Sequence, residues 1–381
     1  MKRLSIFIIL IVSVFCLNAV VDWNITGAGA RAAGMGGAFI GVADDATAIV
    51  WNPAGLVLLE RPEASVVTRF VGDYYKYEVV DGDFEEEETT SHFIFNFGSG
   101  AIPLNLGSMK VVPAVAYQRQ IDLYNYTKTE DYESEGLGGV DTITLGSGIQ
   151  IIPVFSLGFA ANLWLGKYTF ESDNRADYEY EESYSGLNFV IGGMLDLNNL
   201  NNPIPLKLGV TFRTPFDLDI EYEDSDGLEG DQTLGLPNMI GFGASYRFGD
   251  FFTVSADYEM RTYSESKIKE DDNEWDLTDN DINQIRVGAE YLLVTDFAVI
   301  PIRGGWHNYP TLFSNVDEDG EFDDQVIGMG FAVGSGLIFQ KFAFDVTFTY
   351  DAYEIVDKWW YETKENMAKS TISASAILYF D

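Results

Sequence analysis

The stretch GAGARAAGMGGAFIGVADDATAIVWNPAGL, residues 27–56, opens with a glycine spacing close to that of a dinucleotide-binding loop. Such a loop needs a preceding strand and a following helix inside a βαβ unit, so that the helix N-terminus can hold a pyrophosphate. Here the glycines follow a leader-like segment, and alanine replaces the third glycine of the spacing. No βαβ pattern comes after them, so the sequence argues against phosphate binding.

Runs of carboxylates form a second group of residues that could do chemistry. Asp317, Asp319 and Gly320 are spaced as in a calcium-binding EF-hand loop, but Val326 stands where the bidentate glutamate belongs. Weak calcium binding by this loop, or by the run DGDFEEEE from Asp81, stays open beside the interpretation that both are solvated surfaces. We therefore predict no metal site and no cofactor.

Nucleophilic or general-base catalysis would need a histidine beside a serine or an aspartate. The sequence has two histidines, His92 and His307, and neither lies in a recognisable catalytic motif. We therefore expect a protein that is not an enzyme.

The N-terminus has the pattern of a secretory signal peptide. Lys2 and Arg3 precede an apolar run from Leu4 to Leu17, and Ala19 ends a small-residue cleavage site, so we expect residues 1–19 to be removed. The single cysteine, Cys16, lies inside this segment, so the mature chain needs no disulfide. The formal net charge of −37 argues against nucleic-acid binding.

The rest of the chain alternates apolar and polar residues with a period of two, which is typical of half-buried strands. In TISASAILYF, Ile372, Ala374, Ala376 and Leu378 fall on one face and serines and threonine on the other. No stretch after the leader approaches the ~18 apolar residues of a membrane-spanning helix. The sequence predicts fourteen strands, at about 63–80, 91–97, 108–119, 141–151, 154–170, 184–198, 205–222, 237–248, 251–267, 283–293, 297–307, 326–339, 342–354 and 368–380.

The connections between these strands alternate between short turns and longer acidic loops, and the longer ones hold more than half of the 60 acidic residues. An even number of antiparallel strands, two unlike ends and a signal peptide predict an all-β, fourteen-stranded transmembrane barrel of the outer membrane. Lipid offers no hydrogen bonds, so a sheet that crosses it must be closed. A secreted β-sandwich or propeller is the alternative, since it would alternate in the same way.

Charged residues on the polar face of the strands are expected to point into the lumen. The predicted luminal network comprises Lys207, Arg213, Arg286, Glu290 and Arg303, together with Asp257 and Glu259. Arg261 and Asp345 fit the lumen and the hydrated rim equally well. The inner face also carries glycines, which suggest that another backbone approaches there or that the sheet curves. These glycines are Gly146, Gly148, Gly328, Gly330, Gly334 and Gly336.

The stretch GARAAGMGGAFIGVADDATAIVWNPAGL resembles the N-terminal plug segment of FadL/TodX-type outer-membrane transporters of fatty acids and hydrocarbons, and of the related PorV-like barrels. The phrases LGVTFRTPF (208–216), RVGAEYLL and PIRGGW are similar to barrel strands of that superfamily. The positions that match the plug motif are Gly34, Gly36, Gly37, Asp44, Asp45, Asn52, Pro53 and Ala54.

The resemblance implies that residues 20–62 form a plug inside a barrel of residues 63–381, which captures amphipathic substrates outside and releases them sideways into the membrane. A proline that cannot donate to the ladder would mark the lateral gate, and Pro113 is the first candidate, before Pro215 and Pro301. Asp44 and Asp45 are expected either to bind the luminal arginines Arg213, Arg286 or Arg303, or to cap a short helix that starts near Ala46.

Three functions follow as expectations, the last of them that of a structural or adhesive surface protein whose acidic loops bind divalent cations. The first is passive uptake of hydrophobic or amphipathic molecules, such as long-chain fatty acids or hydrocarbons, with the lipid bilayer and a hydrophobic ligand as partners. The second is a PorV-like docking or shuttle role for secreted proteins, with a secretion-system partner.

Overall fold

The computed structural model describes residues 25, 27–80, 82, 84–107, 109–128, 133–173 and 178–381. The expected signal peptide lies outside the described residues. Fourteen strands follow one another along the chain, several of them broken into two parts. They are β1 (Glu63–Val79), β2 (Glu85–Ala101 and Leu104–Leu106), β3 (Met109–Asp122 and Asn125–Lys128), β4 (Glu133–Ile152), β5 (Phe155–Ser172), β6 (Tyr178–Asp196), β7 (Leu206–Arg213 and Phe216–Asp224), β8 (Glu229–Leu236 and Met239–Phe248), β9 (Phe252–Arg261 and Lys267–Glu270), β10 (Asn273–Asp276 and Ile282–Val294), β11 (Val299–Val316), β12 (Phe322–Ile338), β13 (Phe342–Asp357) and β14 (Thr363–Tyr379).

Each strand pairs antiparallel with its neighbours, and β14 pairs with β1 along the whole of β1, from Glu63 opposite Tyr379 to Val79 opposite Thr363. The sheet is therefore closed, which confirms the predicted fourteen-stranded antiparallel barrel. We call the rim with the connections 249–251, 295–298 and 339–341 the lower rim, and the opposite one the upper rim.

The predicted long upper loops are mostly strand. Residues 81–90 and 120–140 were expected to be loops, yet β2 begins at Glu85, and β3 and β4 together run through most of the second segment. Glutamates, tyrosines and threonines continue the backbone pairing above the apolar part of the wall. The prediction was wrong here because it ended each strand where its apolar residues end.

The outer surface of the barrel is apolar and its inner surface is polar. In β14, Ile372 and Leu378 are 48% and 51% exposed, whereas Ser373 and Ser375 face inward and are buried. The same alternation places phenylalanines outward on β2 and β13. An apolar outer belt around a closed barrel is typical of barrels that cross an outer membrane.

The N-terminal segment lies in the lower half of the lumen. It contains helix α1 (Ala30–Gly34), helix α2 (Ala48–Trp51) and a 3-10 helix (Pro53–Leu58), and nearly all of its residues are buried. α1 packs against β11 to β14, and the 3-10 helix packs against β3 to β6. No helix in the described ranges is long and apolar enough to cross a membrane.

Four consecutive strands are interrupted on the way to the upper rim. The breaks lie at 214–215 in β7, 237–238 in β8, 262–266 in β9 and 277–281 in β10. The upper parts of these strands pair with one another as a small four-stranded sheet. We call it the upper sheet.

Candidate functional site

Glycines of the barrel wall let the N-terminal segment touch the wall backbone. A Cβ at Gly158 would lie 2.1 Å from the Ala54 nitrogen, and one at Gly305 would lie 2.1 Å from the Gly36 nitrogen. No side chain fits at such a separation, because real Cβ atoms do not come within 3 Å of other heavy atoms. Equivalent contacts surround the segment at Gly158, Gly192, Gly209, Gly243, Gly288 and Gly305.

Two of the six inner-face glycines that the sequence predicted to meet another backbone do so with the N-terminal segment. A Cβ at Gly148 would lie 2.8 Å from the Pro53 carbonyl oxygen, and one at Gly334 would lie 3.3 Å from the Gly34 Cα. The remaining four would meet atoms of neighbouring barrel strands: Gly146, Gly328, Gly330 and Gly336. Sequence reasoning missed the other wall glycines, because single glycines in alternating strands carry no distinctive pattern.

The glycines of the N-terminal motif are needed for both conformation and space. Gly36 and Gly37 have φ values of 63° and 77°, the left-handed region that glycine adopts without strain. A Cβ at Gly36 would also lie 2.8 Å from the Trp306 backbone nitrogen, and one at Gly34 would lie 2.9 Å from the Thr347 hydroxyl. Gly36 and Gly34 therefore fit the segment against β11 and β13, and Gly37 fits it against Arg286 of β10.

Asn52 joins two turns of the N-terminal segment to the wall. Its side-chain amide donates to the Ile40 carbonyl and to the Gly193 carbonyl of β6, both at 3.2 Å. Its side-chain oxygen accepts the Ala54 N–H at 3.2 Å and so caps the 3-10 helix, which Pro53 begins. Asn52 is fully buried. Its side-chain nitrogen donates two of the three hydrogen bonds, and its side-chain oxygen accepts the third.

A chain of alternating charges crosses the lumen through the N-terminal segment. We call the series Lys207–Asp44–Arg31–Glu290–Arg303–Asp345 the ionic chain. Arg31 lies at its centre, where it donates to Asp44 at 2.5 Å and to both oxygens of Glu290 at 3.0 Å. The chain thus ties α1 to the wall at β7, β10, β11 and β13.

The other predicted luminal charges also hold the N-terminal segment or one another. Arg213 donates to the Val50 carbonyl at 2.7 Å. Asp257 accepts the N–H groups of Phe39 and Ile40, both at 2.7 Å. Arg286 pairs with Glu259 through two bonds of 3.2 Å, and Arg261 contacts the same carboxylate. Arg261 and Asp345, which fitted lumen and rim equally, are both buried in the lumen.

The two aspartates of the N-terminal motif do different things. Burial opposes ionisation of Asp44, but Arg31 and Lys207 outweigh it and hold its pKa well below its usual range. Asp45 accepts the Thr47 N–H at 2.9 Å just before α2, and burial raises its pKa. The expected pairing with wall arginines is therefore corrected: Asp44 binds Arg31 and Lys207, and Asp45 caps the turn that leads into α2.

Above the N-terminal segment, on the side of β3 to β10, the lumen is filled by apolar side chains. Trp164 and Phe216 pack with ring centroids 4.8 Å apart, and Ile25 of the N-terminal segment packs against the group. The upper sheet contributes Leu218, Leu234 and Ile268 to it. We call this group the apolar cluster, and its buried members are Ile121, Leu123, Val140, Trp164, Tyr168, Phe170, Tyr184, Leu218, Leu234, Leu236, Tyr263, Ile268 and Ile282.

The other half of the lumen contains a cavity of about 160 Å³, which we call the chamber. Its floor is the N-terminal segment, including Gly29, Gly37 and Trp51, and its walls belong to β1 to β3, β10, β11, β13 and β14. Ile121 belongs to both the chamber wall and the apolar cluster, so the two regions adjoin. The polar and charged lining side chains are Arg69, Asp73, His92, Asn96, Arg119, Gln120, Asp122, Gln284, Arg286, His307, Thr349, Asp351, Lys369, Thr371 and Ser373.

Both histidines of the sequence face this chamber. The Nε2 atom of His92 contacts Asp122, and that of His307 lies 2.8 Å from Asp351. This arrangement could not be predicted from the sequence, since the two histidines are more than two hundred residues apart and each aspartate lies on another strand.

The wall between β2 and β3 is only partly paired. Backbone pairing runs from Ala101 opposite Ala114 to Phe97 opposite Gln118 and is not found above that point in the described residues. Side chains continue the contact, with the Asn96 amide donating to the Arg119 carbonyl at 3.3 Å. We call this part of the wall, at the chamber, the β2–β3 seam.

Pro113 lies below the β2–β3 seam, from which the paired residues Ala114 to Gln118 separate it. It sits opposite Ser147 of β4, and its carbonyl accepts the Ile102 N–H of β2 at 3.1 Å. Pro103 follows Ile102 on the facing strand, so two residues without N–H groups lie near one another at a second, lower interruption, between the Ala101–Ala114 and Leu104–Val111 pairs.

The acidic upper connections carry no assembled ligand set in the part of the chain that the structure describes: no group of three or more His, Cys, Asp or Glu side chains there could hold a metal ion. In the loop that resembles an EF-hand, Asp317 accepts the N–H groups of Asp319 and Glu321. Asp81 and Asp83 of the other acidic run lie outside the described residues.

No family model matches the chain, and no curated protein matches it by sequence. Solved structures do match it over nearly its whole length. A FadL homologue from Pseudomonas aeruginosa is 14% identical, with a TM-score of 0.67, over 94% of this chain and 99% of that one.

Two structures of toluene transporters are similar to the same extent. TodX from P. putida is 12% identical, with a TM-score of 0.66, over 93% of this chain and 99% of that one. TbuX from Ralstonia pickettii is 14% identical, with a TM-score of 0.59, over 94% of this chain and all of that one. At these identities the similarity shows the fold: the chain has the fold of the FadL/TodX-type barrels, as the sequence predicted.

Proposed function

We propose that this chain, which has the fold of FadL/TodX-type barrels, is an outer-membrane channel for passive uptake of hydrophobic or amphipathic molecules. The solved structures with this fold include a FadL homologue and toluene transporters. The apolar outer belt supports a place in the lipid bilayer.

The observation that carries the proposal is the arrangement of the lumen. An apolar cluster large enough to contact a hydrocarbon chain adjoins an open chamber, and a packed N-terminal segment lies beneath both. A water-filled pore would need neither the cluster nor the segment. The N-terminal segment, residues 20–62, acts in this proposal as the plug that prevents free leakage.

The exit that fits this arrangement is sideways, through the β2–β3 seam. The seam lines the chamber and lacks backbone rungs, so side chains can part there without breaking the ladder. Outward-facing Phe93 and Phe95 place the seam within the apolar belt. The proposed lateral gate is therefore this seam, and Pro113 and Pro103 mark a second interruption of the same strand pair, below the paired residues Ala114 to Gln118.

Uptake measurements test the proposal. Cells that express the intact chain and no other copy of the protein should take up a radiolabelled long-chain hydrocarbon or fatty acid faster than cells that lack the chain. Trp164→Ala removes a buried ring from the apolar cluster, and losing that contact should slow uptake about tenfold. Leu165→Ala changes the adjacent side chain, which faces outward, and should leave uptake unchanged.

Two outcomes would overturn the proposal. One is equal uptake with and without the intact chain. The other is recovery of secretion components on affinity isolation from cells in which uptake does not depend on the chain, which would favour the docking role instead.

A further inference from the structure

We propose that the substrate carries a neutral, polyhydroxylated head group, such as a sugar or polyol, which occupies the chamber while an apolar tail lies against the apolar cluster. This inference rests on the proposed uptake function and specifies its substrate class. A plain hydrocarbon would leave the chamber's polar side chains uncompensated, because buried polar groups need hydrogen-bond partners.

The cations of the chamber favour a neutral head group over a carboxylate. Arg119 binds Asp141 at 2.5 Å, Arg286 binds Glu259 at 3.2 Å, and Lys369 lies 3.8 Å from Asp73. A carboxylate that bound one of these three cations would have to take it from its wall partner. The Arg286–Glu259 pair is fully buried and the other two are partly buried, so the exchange would leave a shielded charge without its partner, which disfavours it.

The acceptors of the chamber favour a head group rich in hydroxyl donors. Asn96 is almost fully buried, and its side-chain oxygen receives no hydrogen bond from the described protein groups. The same holds for the Gln120 side-chain oxygen and for the Nδ1 atoms of His92 and His307. The two amide oxygens can accept a bond from a hydroxyl, and an imidazole Nδ1 atom can accept one from a hydroxyl or donate one to it, so all four atoms can bond to hydroxyl groups.

The aromatic residues of the chamber are suited to the C–H faces of a sugar ring. Tyr124 stacks on His92 with ring centroids 4.2 Å apart, and Trp51 contributes to the floor. Aromatic faces carry negative charge density and attract the positively polarised C–H edges of a ligand. Side-chain atoms that can bond to hydroxyl groups, placed beside aromatic faces, form a site suited to binding a polyol.

Titration calorimetry on the full mature chain in amphipol can test the head group. The probes are octyl glucoside, octanoate and octane, all below their aggregation concentrations, so that the tail is constant. We expect the glucoside to bind about tenfold more tightly than octanoate, since two net hydrogen bonds contribute about 1.4 kcal/mol together.

Variants place the effect in the chamber. Gln120→Leu should weaken glucoside binding several-fold and leave octane binding unchanged, because it removes an acceptor without touching the apolar cluster. Gln150→Leu, on the same type of residue near the lower rim, is the matched control. His307→Phe provides a second chamber variant, should Gln120→Leu fold poorly in a heat-modifiability assay.

The outcomes separate this inference from the proposed function. Octanoate or octane binding as tightly as the glucoside would overturn the head-group inference while leaving uptake of amphipathic molecules intact. If no probe binds and cells take up none of them through the chain, the uptake function itself fails. An unchanged glucoside affinity in both chamber variants would also overturn the inference.

Discussion

At the scale of single residues, Asn52 shows why the Asn-Pro-Ala tripeptide is specific. Its amide must donate to two carbonyls and accept from one N–H, which no other side chain of this shape can do. Asn52→Asp keeps the shape but faces two carbonyl oxygens with an acceptor, and should destabilise the N-terminal segment more than Asn52→Ala. Limited proteolysis of the folded barrel should show faster cleavage within residues 27–59 in the order Asp, Ala, wild type.

The order of the two Asn52 variants is the diagnostic result. A role in shape alone would make the aspartate variant the milder one, and that outcome would contradict the hydrogen-bond account. The expected cost of leaving two buried carbonyls unsatisfied is about 2 kcal/mol or more.

Arg31 is the residue of the ionic chain whose loss should matter most, because it alone joins the carboxylates on both sides. Arg31→Gln leaves Asp44 with Lys207 and Glu290 with Arg303 but no link between the pairs. Planar-bilayer recordings should show more frequent or larger openings than in the intact protein. Losing a hydrogen bond to a charged group costs about 1.5 kcal/mol, enough to change the open fraction about tenfold.

Lys167→Gln is the control for Arg31. This lysine also pairs with a glutamate, Glu181, but its side chain is 59% exposed, and exposed pairs contribute little. Equal conductance in the two variants would show that the ionic chain does not hold the plug.

At the scale of strands, the wall glycines make adjacent positions respond differently to the same substitution. Gly305→Ala places a methyl group 2.1 Å from the Gly36 nitrogen, so the N-terminal segment must shift. Gly304→Ala places it 3.9 Å from the Ala332 carbonyl, an ordinary contact on the outer face. We expect raised conductance for the first and wild-type conductance for the second, with both barrels resistant to heat in gel-shift assays.

Wild-type conductance in both glycine variants would mean that the N-terminal segment tolerates displacement from β11. In that case its close packing there would have no role in blocking the lumen.

The strands could be predicted from the sequence because their outward residues face lipid and must be apolar. Ile372 and Leu378 alternate with Ser373 and Ser375 for this reason, and the pattern fixed the number of strands and their order. The strand ends above the apolar belt escaped prediction, since Glu85 and its neighbours pair through the backbone without an apolar face.

The site was less accessible from the sequence. Asp44 and Arg31 belong to one motif and could be suspected, but their wall partners Lys207 and Glu290 lie far along the chain. The breaks in β7 to β10 that form the upper sheet fall at prolines in two strands only, and the other two have no such marker. These features depend on how residues far apart in the chain are aligned in the closed sheet, which the sequence pattern does not indicate.

At the scale of the whole molecule, the barrel and its N-terminal segment have separable roles. The barrel closes on itself through β1 and β14 and needs no residue before Glu63 to complete its ladder. Deleting residues 20–60 should therefore leave a heat-modifiable barrel in the membrane and open a steady leak through the lower lumen. Because the lumen would then connect with the strongly acidic upper rim, the leak should prefer cations to anions.

Conductance in asymmetric potassium chloride measures both properties at once, and restoring the deleted segment in the same vector is the control. A deleted protein that conducts no more than the intact one would contradict the plug role. The tight packing of Gly36 on β11 and of Asn52 on β6 would then need a purpose other than sealing the lumen.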